Sequence, residues 1–211
     1  MRQEVDRCAK AVELAQKGNT VAVICSGDPG IYAMAGLVFE LLSTEARKRG
    51  STETNTSELP DLRASDLSVE IIPGIPALSA CAARLGAPLM HDFAAVSLSD
   101  LLTPWELIEK RLEAAASADF VIVIYNPKSK GRQEHIKNAR DIILKHRGPH
   151  TPVGIVKAAT REKETVAITD LKNMLDNDID MQSTVIIGNS HTFTWKDWIV
   201  TPRGYSKKYT I

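Results

Sequence analysis

The sequence has little of what marks several common classes of protein. Its 211 residues carry 26 lysines and arginines against 26 aspartates and glutamates, so the formal net charge is zero. A strongly cationic surface, the usual basis of non-specific binding to nucleic acid, is therefore not expected. The longest apolar runs, such as 120–125, are far shorter than the ~18 residues that indicate a membrane span. We expect neither nucleic acid nor a membrane as a partner.

Cysteine is also scarce. Cys8, Cys25 and Cys81 are odd in number, widely spaced and form no CxxC pair, which argues against a disulfide framework. The chain starts Met-Arg-Gln-Glu-Val-Asp, which is too charged for the apolar segment of a signal peptide. With 44% hydrophobic and 25% charged residues, the composition is that of a globular chain. These features predict a cytoplasmic protein.

Strand and helix patterns alternate along the chain, which predicts an α/β fold. In the first part, strands are expected at 20–25 and 67–72, each followed by a loop with glycine and proline and then by a helix. This order predicts a mainly parallel N-terminal sheet. The polar stretch 51–66 predicts an exposed loop.

The segment 88–92 is interpreted as a connector between two α/β domains, 1–92 and 93–211. The second domain begins with a strand, and Thr103-Pro104-Trp105-Glu106 has the pattern of a helix start with a capping box. Several short strands with few helices between them predict a mixed C-terminal sheet. The strands expected here are 93–98, 119–125, 152–157, 165–168, 184–188 and 199–201.

Two loops between a strand and a helix are the first candidates for a binding site. Ser26-Gly27-Asp28-Pro29-Gly30 follows one expected strand, where ligands of open α/β sheets bind. It is neither GxGxxG nor a P-loop, and a simple tight turn is an equally good interpretation. Pro73-Gly74-Ile75-Pro76 follows the other strand, and the small Ser79 and Ala80 come after it. Two such loops on neighbouring parallel strands would face one crevice.

Basic residues follow several of the expected strands, a pattern that suits a substrate with several carboxylates but also an ordinary solvated rim. They are Lys128, Lys130, Arg132, Lys157, Arg161, Lys163, Arg203, Lys207 and Lys208. His91-Asp92 is either an acid–base pair or a capped loop. The histidines lack the spacing of metal ligands, so no metal site is predicted.

The motifs 26–32 (SGDPGIY), 73–80 (PGIPALSA) and 125–127 (YNP) resemble the tetrapyrrole methylase family, which uses S-adenosylmethionine. A narrower likeness is to the branch of that family that methylates carbon 17 of precorrin-3B in cobalamin biosynthesis. It rests on the motifs at 87–93, 97–105, 184–190 and 201–205.

The family begins with a strand and a GxGPG-type loop, whereas this sequence starts in the helix that precedes the SGD loop. The resemblance therefore implies that a βα segment of about 30 residues or more is absent. Its absence would leave a strand edge and apolar surface uncovered. The stretch 51–66 resembles an insertion.

The resemblance implies two α/β domains with the ligand cleft between them, and a homodimer. It also implies a set of residues that line the site of the methyl donor. These are Ser26, Gly27, Asp28, Ile31, Tyr32, Ser79, Ala80, Tyr125, Asn126, Ala159 and Gly188.

In the narrower branch, methylation of carbon 17 is accompanied by contraction of the macrocycle, so a proton donor and acceptor are useful. We assign that role to His91, Asp92 or Asp100, and the binding of substrate carboxylates to Lys157 and Arg203. Three alternatives stay open: a sister methylase of other specificity, a remnant that binds donor or tetrapyrrole without turnover, and a nucleotide-binding regulatory domain. The sequence is compatible with a cobalt-containing or a metal-free substrate.

Overall fold

A computed structural model describes residues 3–50 and 67–210, and the protein divides into two compact units after Pro76. The α/β fold class is confirmed, with both sheets in the second unit. The stretch 51–66, expected as an exposed loop, lies outside the described residues.

The first unit contains helices α1 (Glu4–Gln16) and α2 (Ala35–Gly50), which pack on each other. Helix α1 ends where Gly18 adopts a φ of 84°, a left-handed conformation that glycine reaches without strain. Helix α2 begins at Ala35 rather than at Ile31, because Tyr32 has a φ of 53° and cannot belong to a helix. The apolar spacing of 31–49 predicts a helix from Ile31, and this prediction is wrong at its start.

The strands expected at 20–25 and 67–72 do not form among the described residues of the first unit. Both segments lie outside any hydrogen-bonded ladder, and most of their apolar side chains are exposed, with Ile24 at 79% and Ile72 at 72%. A β-branched run becomes a strand only when a neighbour satisfies its N–H and C=O groups. The expected parallel N-terminal sheet is therefore wrong for the described part of this unit.

The second unit begins with helix α3 (Ala77–Leu85) and holds two sheets. Its other elements follow in chain order: β1 (Gly86–Ala87), β2 (Phe93–Ser97), α4 (Trp105–Ser117), β3 (Val121–Tyr125), α5 (His135–Leu144), β4 (Pro152–Lys157), β5 (Thr165–Asp170), β6 (Ser183–Ile187), β7 (Phe193–Trp195) and β8 (Trp198–Val200).

The larger sheet has the order β2-β3-β6-β4-β5, with β2 and β3 parallel and the remaining pairs antiparallel. The smaller sheet has the order β1-β8-β7, with β1 parallel to β8. The prediction of a mixed C-terminal sheet is confirmed. The sequence pattern also predicts a short helix at 170–175. This prediction is wrong, because β5 continues to Asp170 and only Met174–Asp176 forms a 3-10 turn.

The capping box predicted at the start of α4 was also wrong. Pro104 takes the N-cap position, without a side-chain cap, and its carbonyl accepts from the amides of Leu107 and Ile108.

Strand β3 explains how the larger sheet is buried. Its residues Val121–Ile124 are fully buried, as a sheet covered on both faces requires. Ile122 and Ile124 pack into the core formed with α4 and α5, whereas Val121 and Val123 pack into the core formed with α3. Because α3 covers this sheet, it belongs to the second unit, and the domain boundary at 88–92 stays a prediction.

The strands of the larger sheet define two edges that matter for the site. Strands β2, β3 and β4 end at one edge, which we call the carboxyl edge and which carries Ser97, Tyr125 and Lys157. The opposite edge, which we call the amino edge, carries Phe93 and Val121 at the starts of β2 and β3.

The packing of α3 on β4 predicts the effect of one added methyl group. A Cβ at Gly154 would overlap the side chain of Leu85, whose Cγ would lie only 3.0 Å away. We expect Gly154→Ala to lower the free energy of unfolding by about 1–3 kcal/mol, measured by urea denaturation. Gly148→Ala, with nothing within 4 Å of the new Cβ, is the matched control. Equal stability of the two variants would contradict this packing.

Candidate functional site

The two glycine loops of the first unit lie in contact. Asp28 joins them, because its Oδ1 accepts from the Gly30 amide at 2.8 Å and its Oδ2 accepts from the Gly74 amide at 3.1 Å. The first bond closes a turn within the 26–30 loop, and the second ties that loop to 73–76. The sequence predicts that these two loops lie close together, and the structure confirms that they are in contact. Their role in binding a ligand stays a prediction.

Glycine is required at both contact points. Gly27 has a φ of 78°, and a Cβ at Gly74 would overlap the carbonyl group of Gly27. The two backbones therefore approach more closely than any side chain would permit. Ser26 and Gly27 are exposed, so their backbone and hydroxyl groups are accessible to a ligand.

Ile31 and Tyr32 follow the first loop and are exposed before α2 begins. The left-handed conformation of Tyr32 turns the chain from the loop into that helix. Both residues thus lie in the loop between Asp28 and α2, and their role in the donor site stays a prediction.

Tyr125 stands at the carboxyl edge of the second unit and contacts the start of α3. The Leu78 amide donates a hydrogen bond of 2.9 Å to the Tyr125 hydroxyl, which satisfies one of the amides left free in the first turn of a helix. Ser79 and Ala80 lie in that same turn. The structure therefore brings Tyr125 to the helical turn that carries Ser79 and Ala80, all three of which are predicted to line the site of the methyl donor.

Asn126 follows Tyr125 with a φ of 50°, a conformation that asparagine tolerates better than most residues. Its side-chain amide donates to the Ser97 hydroxyl at 2.9 Å, which links the ends of β2 and β3. Ala159 also lies beyond the carboxyl edge, after β4, and is half-buried.

Asp100 is held by two cationic or ionisable partners at the same edge. Its Oδ2 lies 3.1 Å from Nε2 of His135, and its Oδ1 lies 3.6 Å from Nε of Arg132. Partial desolvation acts to raise the pKa of Asp100, but the hydrogen bond with His135 and the charge of Arg132 outweigh it and leave the pKa lowered. The His135 ring in turn packs on Trp105, with 4.2 Å between ring centroids.

Lys157 ends β4 and is already paired. Its Nζ lies 2.6 Å from Oδ2 of Asp178 and 2.8 Å from Oδ2 of Asp180. The hydrogen bonds with Asp178 and then with Asp180 raise the pKa of Lys157. The charge of this candidate for binding substrate carboxylates is therefore offset by two carboxylates of the protein itself.

His91, Asp92 and Arg203 lie together near the amino edge rather than with Asp100. Nδ1 of His91 accepts from the Asp92 amide at 2.8 Å, and the Asp92 carbonyl accepts from the Val121 amide at 3.1 Å. The Arg203 guanidinium reaches the carbonyl of Met90 at 3.5 Å. The three acid–base candidates are therefore divided between opposite edges of one sheet.

Gly188 also lies at the amino edge, where its amide donates to the carbonyl of Pro152 at 2.9 Å. A Cβ at this position would meet Cβ of Thr192 at 2.5 Å, so close packing accounts for the glycine. The structure separates Gly188 from Tyr125 and Asn126 by the length of β6. Its assignment to the donor site stays a prediction.

Arg132 and His135 were missed as members of the site. Arg132 was grouped with the basic residues of the rim, and His135 was set aside for lack of metal-ligand spacing. Both residues are separated from Asp100 in the sequence by α4 and β3, so local spacing could not predict their contacts with it.

Residues 3–50 and 67–210 contain no cluster of histidine, cysteine and carboxylate side chains that could hold a metal ion. Within the same ranges, no helix has the length and apolar character needed to cross a bilayer.

Comparison with known proteins supplies the family. A family model described as Tetrapyrrole (Corrin/Porphyrin) Methylases matches residues 2–175. A protein of Priestia megaterium named "Cobalt-factor III methyltransferase" is 53% identical over 211 residues, which are 100% of this chain and 36% of that protein. One of Salmonella typhimurium named "Probable cobalt-factor III C(17)-methyltransferase" is 48% identical over 98% of this chain and 78% of its own length.

Among solved structures, that of the methyltransferase CobJ superimposes with a TM-score of 0.83 at 35% identity, covering 94% of this chain and 77% of that one. The chain thus spans about a third of the Priestia protein and about three quarters of the other two. Since the family model matches most of the sequence, the chain belongs to the tetrapyrrole (corrin/porphyrin) methylase family.

Proposed function

We propose that this chain is an S-adenosylmethionine-dependent methyltransferase of cobalamin biosynthesis. It acts on carbon 17 of a tetrapyrrole of the precorrin-3B or cobalt-precorrin-3 type, with contraction of the ring. The observation that carries the proposal is the similarity to the Priestia protein along all 211 residues, including both glycine loops. The same family membership supports a tetrapyrrole substrate and a cytoplasmic homodimer.

The residues present fit a methyl donor of this kind. S-adenosylmethionine offers ribose hydroxyls, an amino group and a carboxylate, which are recognised by backbone groups and small polar side chains. Ser26 and Gly27 expose such groups. Each oxygen of Asp28 accepts one backbone amide and keeps a further lone pair for a ligand. When bound, the sulfonium supplies an activated methyl group with a built-in leaving group.

The protein then has mainly to position donor and acceptor, and proximity of this kind can supply ~7–11 kcal/mol. Asp28 fixes the relative positions of the two glycine loops. The Tyr125 hydroxyl fixes the start of α3, with Ser79 and Ala80 in its first turn. The candidate donor residues are therefore held by the fold rather than ordered by the ligand.

Ring contraction requires proton transfer, and the structure distinguishes the candidates by environment. Asp100 has a lowered pKa and is a carboxylate at neutral pH, which makes it a weak base and suits it to orient the His135 ring rather than to take up a proton itself. His91 and Asp92 are more exposed and lie near Arg203, so they suit contact with the substrate periphery.

One observation favours a second function. The exposed Ile24 and Ile72 flank the glycine loops, and the segments that carry them lie outside any ladder. A protein that binds donor or tetrapyrrole without turnover would be compatible with such a surface. Formation of a methylated product separates the two functions.

We expect the full chain, incubated with S-adenosylmethionine and cobalt-precorrin-3 or precorrin-3B, to form a product heavier by one methyl group, detected by mass spectrometry. Asp28→Asn replaces an acceptor oxygen with a donor and leaves one loop amide unpaired. It should raise KM for the donor about 10-fold, the equivalent of about one lost hydrogen bond. Asp6→Asn on α1 is the matched control.

If the wild-type protein forms product and Asp28→Asn leaves the KM for the donor unchanged, the role of Asp28 is contradicted. Binding of donor or tetrapyrrole without any product would support the non-catalytic alternative.

The lowered pKa of Asp100 predicts how stability depends on pH. A carboxyl whose folded-state pKa is depressed stabilises the fold above its ordinary pKa of 3.8, and this contribution disappears as the pH falls through the lowered value. Asp100→Asn should therefore destabilise the protein at pH 5.5, and the effect should shrink as the pH falls below 3.8, measured by urea unfolding. Asp197→Asn is the control. A difference that does not shrink on acidification would contradict the pairing.

A further inference from the structure

The carboxyl edge carries two leucines that the fold leaves in solvent. Leu101 is 79% exposed and Leu102 is 99% exposed, in the loop 98–104 that follows β2. Single exposed leucines are ordinary, but two adjacent ones beside the paired Asp100 form an apolar projection. Nothing in the packing of the second unit requires leucine at either position.

A second loop, 126–134, starts beside the first because β2 and β3 are parallel neighbours with Ser97 opposite Tyr125. Arg132 fastens the two loops. Its Nη1 donates to the carbonyl of Leu98 at 2.8 Å and to that of Asn126 at 3.4 Å. Only 12% of the Arg132 side chain is exposed, so this contact is part of the fold.

The second loop ends in a tight turn that carries lysines. The amides and carbonyls of Ser129 and Arg132 exchange two hydrogen bonds of 3.1 Å, which places Lys130 and Gly131 at the tip. Lys130 is exposed and Lys128 is half-buried just before the turn. Among the ion pairs of the described residues, neither lysine takes part.

Charge pairing distinguishes Lys128 and Lys130 from Arg132 on the same loop and from Lys157 at the end of β4. The charge of Arg132 is offset by Asp100, and that of Lys157 is offset by Asp178 and Asp180. Lys128 and Lys130 are left as the cations available to a ligand on these two loops.

We propose that Leu101, Leu102, Lys128 and Lys130 form the surface that binds the tetrapyrrole, which we call the acceptor platform. The leucines contact the flat apolar ring and the lysines pair with its peripheral carboxylates. The assignment rests on the proposed function, because it takes the tetrapyrrole class from it. It places carboxylate recognition on Lys128 and Lys130 rather than on Lys157.

The test is a fluorescence titration of the full-length chain with uroporphyrin, a porphyrin rich in carboxylates. Leu101→Ser/Leu102→Ser should weaken binding about 10-fold or more, since two apolar side chains lose their contact with the ring. Lys128→Gln/Lys130→Gln should weaken it about five-fold at low salt, with a smaller effect at high salt because salt screens exposed charges. Coproporphyrin, which has half as many carboxylates, should be less sensitive to the lysine change.

Two controls match these variants. Lys137→Gln/Lys145→Gln removes the same charge from α5 and from the residue that follows it, and Val5→Ser removes an exposed apolar side chain from α1. Both should bind uroporphyrin as the wild type does. Thermal unfolding should be unchanged in the leucine variant, because neither leucine is buried.

Equal affinity of wild type and both platform variants, or no binding by the wild type, would overturn the acceptor platform. The methyl-transfer assay is read separately. If the wild type forms product and the platform variants have the same KM for the tetrapyrrole, the acceptor platform is overturned and the proposed function is not. Platform-dependent uroporphyrin binding without methyl transfer supports the platform and counts against the proposed function.

Discussion

Burial of β3 on both faces is the constraint on which the second unit depends. Val121–Ile124 alternate between a core shared with α4 and α5 and a core shared with α3. A shift of one residue would exchange the two sets, so the register is strongly specified. Because β3 ends at Tyr125, this burial also determines where Tyr125 and Asn126 emerge. The position of the candidate site thus follows from the packing of the core.

Charge pairing then decides which polar residues of the carboxyl edge can serve a ligand. Asp100 is occupied by His135 and Arg132, and Lys157 by Asp178 and Asp180. A side chain that already has strong partners contributes less to the binding of a ligand, because its existing contacts must first be broken. In the first unit, Asp28 serves both loops through backbone amides and remains open to a further donor.

The two units differ in how well their strands could be predicted from the sequence. Strand β4 was predicted with its observed bounds, because its run of apolar residues ends in clear turn signals. The segments 20–25 and 67–72 have similar local patterns but no ladder partner, so they stayed unpaired in the described structure. The capping box at Thr103 failed because Pro104 took the N-cap position. Local pattern predicts an element only where tertiary neighbours complete it.

Sequence alone determined the mixed second sheet, the glycine loops and the family, since these depend on short motifs and periodicity. Tertiary structure decided which candidates meet. It joined Asp28 to Gly74 and Tyr125 to Leu78, and it placed His91 and Gly188 at the opposite edge from Asn126. The physical reason is that strand order and direction, set by long-range burial, determine which loop ends become neighbours, and spacing along the chain does not record them.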